Sequence, residues 1–245
     1  MRWFDCNCSC GIGARPPLRY ARSAGELLAE MDWCGIDRAL VYHTNMRFDS
    51  PVAWNPRLAS DIHAQPRLIG SWAILPSQTG EQAEPAEFLR LMKQHDVKTL
   101  IAFPDEHRYR LDARTFGPLL ESLIAARIPL FIKQNILAIG DLLEDFPELP
   151  VVAMNVGPHS LERYLRPLLD AFPALHVETS HYMIEGLIEE FCERYGPARL
   201  LFGSGYPDVC SGASRLRLAQ ADIPDEARAA IAGGNLERLL GEVRL

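Results

Sequence analysis

The sequence lacks the features that mark secreted, membrane-spanning and nucleic-acid-binding proteins. Its first residues contain no basic segment followed by a long apolar stretch, and no apolar run approaches the about 20 residues that span a bilayer. Positive charge is not in excess, because the net charge is -7 at pH 7 and the pI is near 5.5. We therefore expect a cytoplasmic protein with no general attraction to nucleic acid or to anionic membranes.

Cysteine is sparse, and its spacing predicts neither a disulfide framework nor a zinc site. There are 6 cysteines in 245 residues, and three of them form Cys-x-Cys-x-Cys over positions 6–10. Structural zinc sites usually pair Cys-x-x-Cys with a second Cys or His pair, and none is evident here. We interpret the cysteines as reduced thiols, those of the first strand being buried in the core.

The sequence also lacks a complete nucleotide-binding loop, a serine-nucleophile motif and an interdomain linker. The one candidate phosphate loop, Gly-Ile-Gly at 11–13, has no third glycine and runs into Arg-Pro-Pro, which disfavours a doubly wound nucleotide-binding sheet. Ser204 lies in Gly-Ser-Gly rather than Gly-x-Ser-x-Gly, and no histidine is evidently tied to it, so a serine triad is not expected. No Gly/Ser/Pro-rich segment divides the chain.

Strand-like and helix-like segments alternate along the chain. Short apolar runs rich in β-branched and aromatic residues are separated by longer segments of helical period, such as the one opened by the capping box at 23–26. This pattern predicts a single (β/α)8 barrel domain over residues 1–245. The predicted strands are Trp3–Cys8, Arg38–His43, Arg67–Ile74, Val97–Phe103, Ile128–Lys133, Val151–Asn155, Leu175–Ser180 and Arg199–Ser204.

Polar residues end several of these strands, where such barrels carry their chemistry. In the first strand the cysteines share one face and Asp5, Asn7 and Ser9 share the other, so the cysteines should face the helices if Asp5 faces inward. Strand alternation then directs six side chains into one cavity. These are Asp5, Asn7, Lys133, Asn155, Glu178 and Ser180.

A lysine among carboxylates inside a barrel has three interpretations. Lys133 can be a fixed cation that polarises a substrate carbonyl, or a desolvated amine that forms a Schiff base. Alternatively, it pairs with Asp5 or Glu178 and only stiffens the barrel. Asn7 and Asn155 likewise either contact substrate or simply satisfy buried partners.

Further candidate residues lie on loops at the same end of the barrel. His181 follows Ser180 and is the preferred general base, against the alternative of a partly exposed loop histidine. His159 lies on another such loop, and the direction of His43 is ambiguous. Arg108 and Arg110 follow the fourth strand and can clamp a substrate carboxylate, unless they are only solvated. The remaining candidates for substrate contact are Tyr206 and Asp208.

Six short segments, in this order and spacing, resemble the amidohydrolase-related TIM-barrel family, which includes aminocarboxymuconate-semialdehyde decarboxylase and related hydrolases. They are Phe-Asp at 4–5, Gly-Ile-Asp-Arg-Ala at 35–39, Pro-Arg-Leu-Ile-Gly at 66–70, Ile-Pro-Leu-Phe-Ile-Lys at 128–133, Phe-Pro-Glu-Leu-Pro at 146–150 and Phe-Gly-Ser-Gly-Tyr-Pro at 202–207. The resemblance spans nearly the whole chain.

The resemblance implies a divalent metal, often zinc, bound by His-x-His on strand one, histidines ending strands five and six, and an aspartate on strand eight. Those positions here hold Asn7, Ser9, Lys133, Asn155 and Gly205. Amides, hydroxyls and an ammonium group are poor zinc ligands, so we expect no bound transition metal. An oxygen site for magnesium or calcium from Asp5, Glu178 and Asp208 is the alternative.

Together these features predict a hydrolase for a small carboxylated lactone, ester or amide that works without a tightly bound transition metal. Lys133 would stabilise the developing oxyanion, and Glu178, Asp5 or His181 would accept the proton. The competing hypotheses are a catalytically inactive barrel that binds a ligand or partner, a Schiff-base lyase that uses Lys133, and a decarboxylase-like activity. The family resemblance also implies a homo-oligomer.

Overall fold

Eight short parallel strands form the centre of the protein, in a computed structural model that describes residues 1–13, 17–157 and 162–245. They pair in sequence order from β1 to β8, each with the next. The strands are β1 Phe4–Cys10, β2 Arg38–His43, β3 Leu68–Ala73, β4 Thr99–Ala102, β5 Leu130–Lys133, β6 Val151–Met154, β7 Leu175–Glu178 and β8 Leu200–Leu201.

Backbone hydrogen bonds join the last strand to the first. The Cys6 amide donates to the Phe202 carbonyl at 2.9 Å, and the Ser9 amide donates to the Tyr206 carbonyl at 3.0 Å. In the opposite direction, the Gly205 amide donates to the Asn7 carbonyl at 2.9 Å. The (β/α)8 barrel predicted from the sequence is therefore confirmed, and β1 is its closing strand.

Helices surround the sheet and follow the strands in alternation. Helix α1 begins at the predicted capping box, where the Ser23 hydroxyl accepts from the Glu26 amide, and ends at Gly35 in the left-handed conformation. The helices are α1 Ala24–Cys34, α2 Thr44–Phe48, α3 Pro51–Ile62, α4 Pro85–Gln94, α5 Pro104–His107, α6 Ala113–Ala126, α7 Ile136–Asp145, α8 Glu162–Ala171, α9 Leu187–Tyr195, α10 Ser211–Gln220, α11 Asp225–Ala229 and α12 Asn235–Gly241.

The structure differs from the predicted element boundaries mainly at the site end of the barrel. The regular ladder of β8 covers only Leu200–Leu201, because the backbone beyond it turns to bond with β1. Two short helices, α2 and α5, were not predicted, since a segment of five residues or fewer has no detectable helical period. Both lie directly after strand ends and therefore border the site.

A bulge between Asp5 and Cys8 interrupts the alternation predicted for β1. Asp5 pairs in register with Ala39 and Cys8 pairs with Val41, so Asp5 lies on the same face of the strand as Cys8 and not on the opposite face, as the alternation had predicted. Cys6, Cys8 and Cys10 are all buried and free, and Cys10 lines a groove that α1 and α3 also border. Asn7 and Ser9 point to the opposite side, where they contact residues of other strands and loops. In the three described ranges, none of the helices combines the length and apolarity needed to cross a membrane.

Asn55 of α3 completes the hydrogen bonding of β3 where β2 no longer pairs with it. Its side-chain amide donates to the Ala73 carbonyl at 2.8 Å, and its Oδ1 accepts from the Ala73 amide at 2.9 Å. The β2 ladder ends earlier, at Gly70, and Asn55 is 6% exposed. This one side chain therefore satisfies two buried backbone groups.

We expect Asn55→Ala to lower the free energy of unfolding by about 2–4 kcal/mol, because both Ala73 backbone groups lose their partner in a buried position. Chemical denaturation measures this change. Arg57→Ala on the same helix is the control, since that side chain is 65% exposed and should cost less than about 1 kcal/mol. Equal effects of the two substitutions would contradict the assigned role of Asn55.

Candidate functional site

Glu178 is a buried carboxylate at the end of β7, and it binds groups from two strand ends. Its Oε1 accepts from the Asn155 amide at 2.6 Å and from the Ser180 hydroxyl at 2.7 Å, and its Oε2 accepts from the Ser180 amide at 2.8 Å. Oε2 also lies against Gly203, where an added Cβ would overlap it. Glu178 is 0% exposed, so these contacts replace its hydration.

Two asparagines link β1 to the ends of β6 and β7. Asn7 Nδ2 donates to Asn155 Oδ1 at 3.2 Å and to Ser180 Oγ at 3.4 Å. Asn155 adopts a left-handed backbone conformation with φ of 55°, which turns its backbone N–H group toward Glu178. The side-chain amides of Asn7 and Asn155 therefore hydrogen-bond to each other, and that of Asn7 also bonds to the Ser180 hydroxyl group. This is the alternative in which the two asparagines satisfy buried partners.

His181 lies at the outer edge of this network and is partly buried. Its Nδ1 is 2.9 Å from Ser180 Oγ and 3.2 Å from Asn155 Nδ2. The structure thus connects His181 to Glu178 through Ser180. His159, the other candidate loop histidine, lies outside the described residues.

Asp5 lies between β1 and β8 and is 1% exposed. Its Oδ1 accepts from the Ser204 amide at 2.8 Å and from the Asn7 amide at 2.9 Å. Burial raises the pKa of Asp5 to about 6, hydrogen bonds from Ser204 and Asn7 oppose this shift, and the charge of Glu178 adds to it. The side chain fastens the barrel closure, and its charge is costly at neutral pH.

Lys133 lies across the barrel and does not pair with either buried carboxylate. Its Nζ donates to Tyr42 Oη at 3.1 Å and is 3.5 Å from Asp208 Oδ2. The lysine side chain is 4% exposed, whereas the Asp208 side chain is 54% exposed. The alternative in which Lys133 pairs with Asp5 or Glu178 is therefore wrong for the described residues, and the ammonium group faces the mouth of the barrel.

A cavity of about 50 Å³ opens beside Lys133's two partners. Tyr42 and Asp208 line it together with Ser9, Thr44 and Arg47. Arg47 was not predicted as a site residue because it belongs to the short helix α2, which has no detectable period in the sequence; in the structure it pairs with Glu106. Tyr42 was also not predicted as a site residue. Strand alternation could have indicated it, because Tyr42 precedes His43 in β2 and the two side chains must point to opposite faces of the strand.

Three predicted substrate contacts lie away from this cavity. Arg108 is exposed, and the Arg110 side chain is 85% exposed and pairs with Asp112. Tyr206 is 7% exposed and lies beside Cys8 in the closing ladder, on the side of the barrel wall that faces the helices. His43 also points outward, where its ring stacks on Trp54.

A protein-family model described as amidohydrolase matches residues 11–241, which is nearly the whole chain. The chain belongs to the amidohydrolase family. This confirms the resemblance carried by the six sequence segments. Among curated proteins, no significant sequence match was found.

Solved structures of similar proteins share the fold at low sequence identity. A 5-carboxyvanillate decarboxylase from Sphingomonas paucimobilis is 17% identical, with a TM-score of 0.75 over 98% of this chain and 99% of that one. A protein described as a 2-pyrone-4,6-dicarboxylic acid hydrolase from Pseudomonas putida is 16% identical, with a TM-score of 0.71 over 98% of both chains. A dihydroxybenzoic acid decarboxylase from Polaromonas, solved with manganese and 2-nitroresorcinol, is 14% identical, with a TM-score of 0.79 over 98% and 97%.

The residues of this member of the amidohydrolase family do not fit a transition metal at the positions implied by the family resemblance. Asn7 and Asn155 bond to each other, and Lys133 brings a positive charge. At Gly205, with φ of 71°, an added Cβ would lie 2.9 Å from Ser180 Cβ, so the backbone leaves no room for a carboxylate side chain.

An oxygen-ligand site does not form either. No group of three or more His, Cys, Asp or Glu side chains suited to a metal ion occurs within the described part of the chain. Asp5 bonds to the backbone at the barrel closure, and Asp208 pairs with Lys133. The predicted alternative of a magnesium or calcium site from Asp5, Glu178 and Asp208 is therefore wrong for the described residues.

The raised pKa of Asp5 predicts a pH-dependent gain in stability for Asp5→Asn. A carboxyl group whose pKa is higher in the folded state costs stability as pH rises from its unfolded toward its folded pKa. Relative to the wild type, the free energy of unfolding of Asp5→Asn should thus rise by about 2–3 kcal/mol between about pH 4 and pH 7. Denaturation at several pH values measures the difference. Asp141→Asn, an exposed carboxylate, is the control; a pH-independent difference for Asp5→Asn would refute the prediction.

The close approach of Gly203 to Glu178 predicts strong coupling between the two positions. Gly203→Ala should destabilise the protein by about 3 kcal/mol, because the methyl group displaces the carboxylate from its donors. In a Glu178→Ala background this loss should shrink by at least about 1 kcal/mol, as a double-mutant cycle would show. Gly117→Ala is the control, since a Cβ there meets nothing within 4 Å. Additive losses at 178 and 203 would count against the contact.

Proposed function

We propose that this member of the amidohydrolase family is a hydrolase that acts on a small carboxylated lactone, ester or amide without a tightly bound transition metal. The observation that carries the proposal is the buried ammonium group of Lys133, at a position that the family resemblance assigns to a metal ligand. Tyr42 and Asp208 hold this group at the mouth of the barrel. A fixed cation in a site with little water stabilises negative charge that develops on a carbonyl oxygen.

The proposed reaction uses Lys133 as the electrostatic catalyst and His181 as the proton acceptor. Attack of water on the substrate carbonyl places negative charge on its oxygen, next to the ammonium group. The attacking water gives its proton to His181, since Asp5 and Glu178 are fully buried and their oxygens already accept hydrogen bonds. Collapse of the intermediate then expels the alkoxide or amine.

Recognition of the substrate carboxylate is assigned to Arg47 rather than to Arg108 or Arg110. Arg47 lines the cavity, its side chain is 17% exposed, and its pairing with Glu106 leaves further guanidinium donors. Thr44 and Ser9 add hydroxyl groups on the same wall. The cavity of about 50 Å³ favours a small substrate and has to widen for one of aromatic size.

Decarboxylation is the second candidate function, because two of the structural relatives are named as decarboxylases. The same buried cation would stabilise the charge left when carbon dioxide departs. One substrate screen distinguishes the two reactions, since only decarboxylation releases carbon dioxide and only hydrolysis consumes water.

Turnover should depend on the ammonium group of Lys133. In a screen of carboxylated lactones, esters and amides, Lys133→Met should lower kcat/KM by about 100-fold or more, through loss of oxyanion stabilisation. Lys93→Met, on the exposed face of α4, is the matched control and should leave kcat/KM unchanged.

The same preparation tests metal independence. Protein treated with a chelator and analysed for metal content should keep its turnover and contain far less than one equivalent of zinc or manganese. Full activity of Lys133→Met, loss of turnover on chelation, or a covalent adduct at Lys133 after borohydride reduction with a carbonyl substrate would each overturn the proposed mechanism. An absence of turnover with all three substrate classes would favour a binding protein.

A further inference from the structure

Ser180 lies between a fully buried carboxylate and a partly buried imidazole. Its Oγ is 2.7 Å from Glu178 Oε1 and 2.9 Å from His181 Nδ1. Both distances are those of good hydrogen bonds. Ser180 itself is 0% exposed, so no bulk water competes for its hydroxyl group.

A serine hydroxyl carries only one proton, so these two contacts need a second proton from one of the outer groups. Two arrangements supply it. In the first, Glu178 is a carboxylate that accepts from the Ser180 hydroxyl, and His181 Nδ1–H donates to Ser180 Oγ. In the second, a protonated Glu178 donates to Ser180 Oγ, and the Ser180 hydroxyl donates to the lone pair of His181 Nδ1.

We propose that Glu178, Ser180 and His181 form a proton relay. The first arrangement is the resting state, because Glu178 also accepts the backbone amides of Asn155 and Ser180, which favour its charged form. In this state His181 carries its proton on Nδ1 and has a lone pair on Nε2, as a general base that acts through Nε2 must.

The proton transfer balances without any additional reactant. When Nε2 takes a proton from the attacking water, the Nδ1 proton passes to Ser180 Oγ and the Ser180 hydroxyl proton passes to Glu178 Oε1. The products are a neutral imidazole with Nε2–H and a neutral carboxylic acid, which is the second arrangement. The reverse transfer then returns a proton through His181 to the leaving group.

Asn155 stabilises the second arrangement. Its Nδ2 lies 3.2 Å from His181 Nδ1 and can donate only when Nδ1 carries a lone pair. Its Oδ1 accepts from Asn7 Nδ2, which fixes the direction of the amide. Each tautomer of His181 thus has partners in place: Ser180 Oγ accepts from Nδ1–H in the first arrangement, and the Ser180 hydroxyl and Asn155 Nδ2 share the Nδ1 lone pair in the second.

Burial divides the roles of the three relay residues. Glu178 and Ser180 are fully buried and cannot reach a substrate at the mouth, so Glu178 is a positioning residue that acts through Ser180. Arg217, on α10, donates to the carbonyls of Thr179 and Ser180 and is the cation next to this segment. Of the three relay residues, only His181 is partly exposed.

The tautomer of His181 tests the relay directly. In protein labelled with 15N at histidine, the His181 resonances, assigned by their loss in His181→Gln, should show a protonated Nδ1 and an unprotonated Nε2 in the wild type. In Ser180→Ala the remaining partner of Nδ1 is Asn155, so the tautomer ratio should shift by about tenfold or more toward Nε2–H. Glu178→Gln should shift the ratio in the same direction.

Matched variants separate the relay from general disturbance of the barrel. Ser180→Thr keeps the hydroxyl group and should preserve the wild-type ratio. Ser71→Ala should also preserve it, since Ser71 Oγ is buried without a hydrogen-bond partner among the described residues. An Nε2–H tautomer in the wild type, or an unchanged ratio in both Ser180→Ala and Glu178→Gln, would overturn the relay.

Only the use of the relay in turnover depends on the proposed function. With a substrate in hand, Ser180→Ala should lower kcat by about 10- to 100-fold with little change in KM, and Ser180→Thr should restore it. The tautomer measurement needs no substrate, so failure of the hydrolase proposal and failure of the relay give different results. An unaltered kcat in Ser180→Ala would overturn the catalytic use of the relay.

Discussion

The burial of one carboxylate, Glu178, constrains much of the surrounding site. A carboxylate out of water costs several kcal/mol unless donors replace its hydration, and here three donors from the ends of β6 and β7 do so. Two local features follow from this need. Asn155 takes a left-handed backbone to aim its amide at the carboxylate, and position 203 is a glycine because the carboxylate occupies the space of a side chain.

The positions to which the family resemblance assigns metal ligands hold residues with other partners in this structure. Asn7 and Asn155 bond to each other across the barrel, and Lys133 contacts Tyr42 and Asp208. Gly205 allows a close backbone approach to Ser180 and Val209 that a carboxylate side chain would prevent. Restoring any one ligand would therefore break contacts without building a metal site, since the remaining positions would still be wrong.

The fold and the direction of most site residues could be predicted from the sequence, because both follow from local periodicity. Alternation of strands and helices predicted the barrel, whereas alternation within β1 failed at the bulge between Asp5 and Cys8, which puts these two residues on one face. The partners of Lys133 could not be predicted in this way. Tyr42 and Lys133 are 91 positions apart, and their contact depends on how two strands face each other across the barrel.

Substrate contacts on loops could not be predicted either, because the direction of a loop side chain does not follow from local periodicity. Arg108 and Arg110 were conspicuous in the sequence because charge is concentrated there, yet both side chains point to solvent. Arg47 was inconspicuous, and the short helix α2 places it in the cavity wall. Charge density along a chain gives no information on direction, whereas strand parity does. Inferences at the strand ends were accordingly stronger than those in the loops.

The site keeps Lys133 apart from its two buried carboxylates, Asp5 and Glu178. Lys133 belongs to β5 and bonds toward β2, whereas Glu178 and Asp5 lie near β7, β8 and β1 and bond to backbone amides there. If Lys133 paired with Asp5 or Glu178, the ion pair would neutralise both the ammonium group and a buried carboxylate. Lys133 pairs instead with Asp208, whose side chain is 54% exposed, and Glu178 keeps its bond to Ser180, which contacts His181. A site that served only to stiffen the barrel would gain more from joining Lys133 to a buried carboxylate than from pairing it with the half-exposed Asp208.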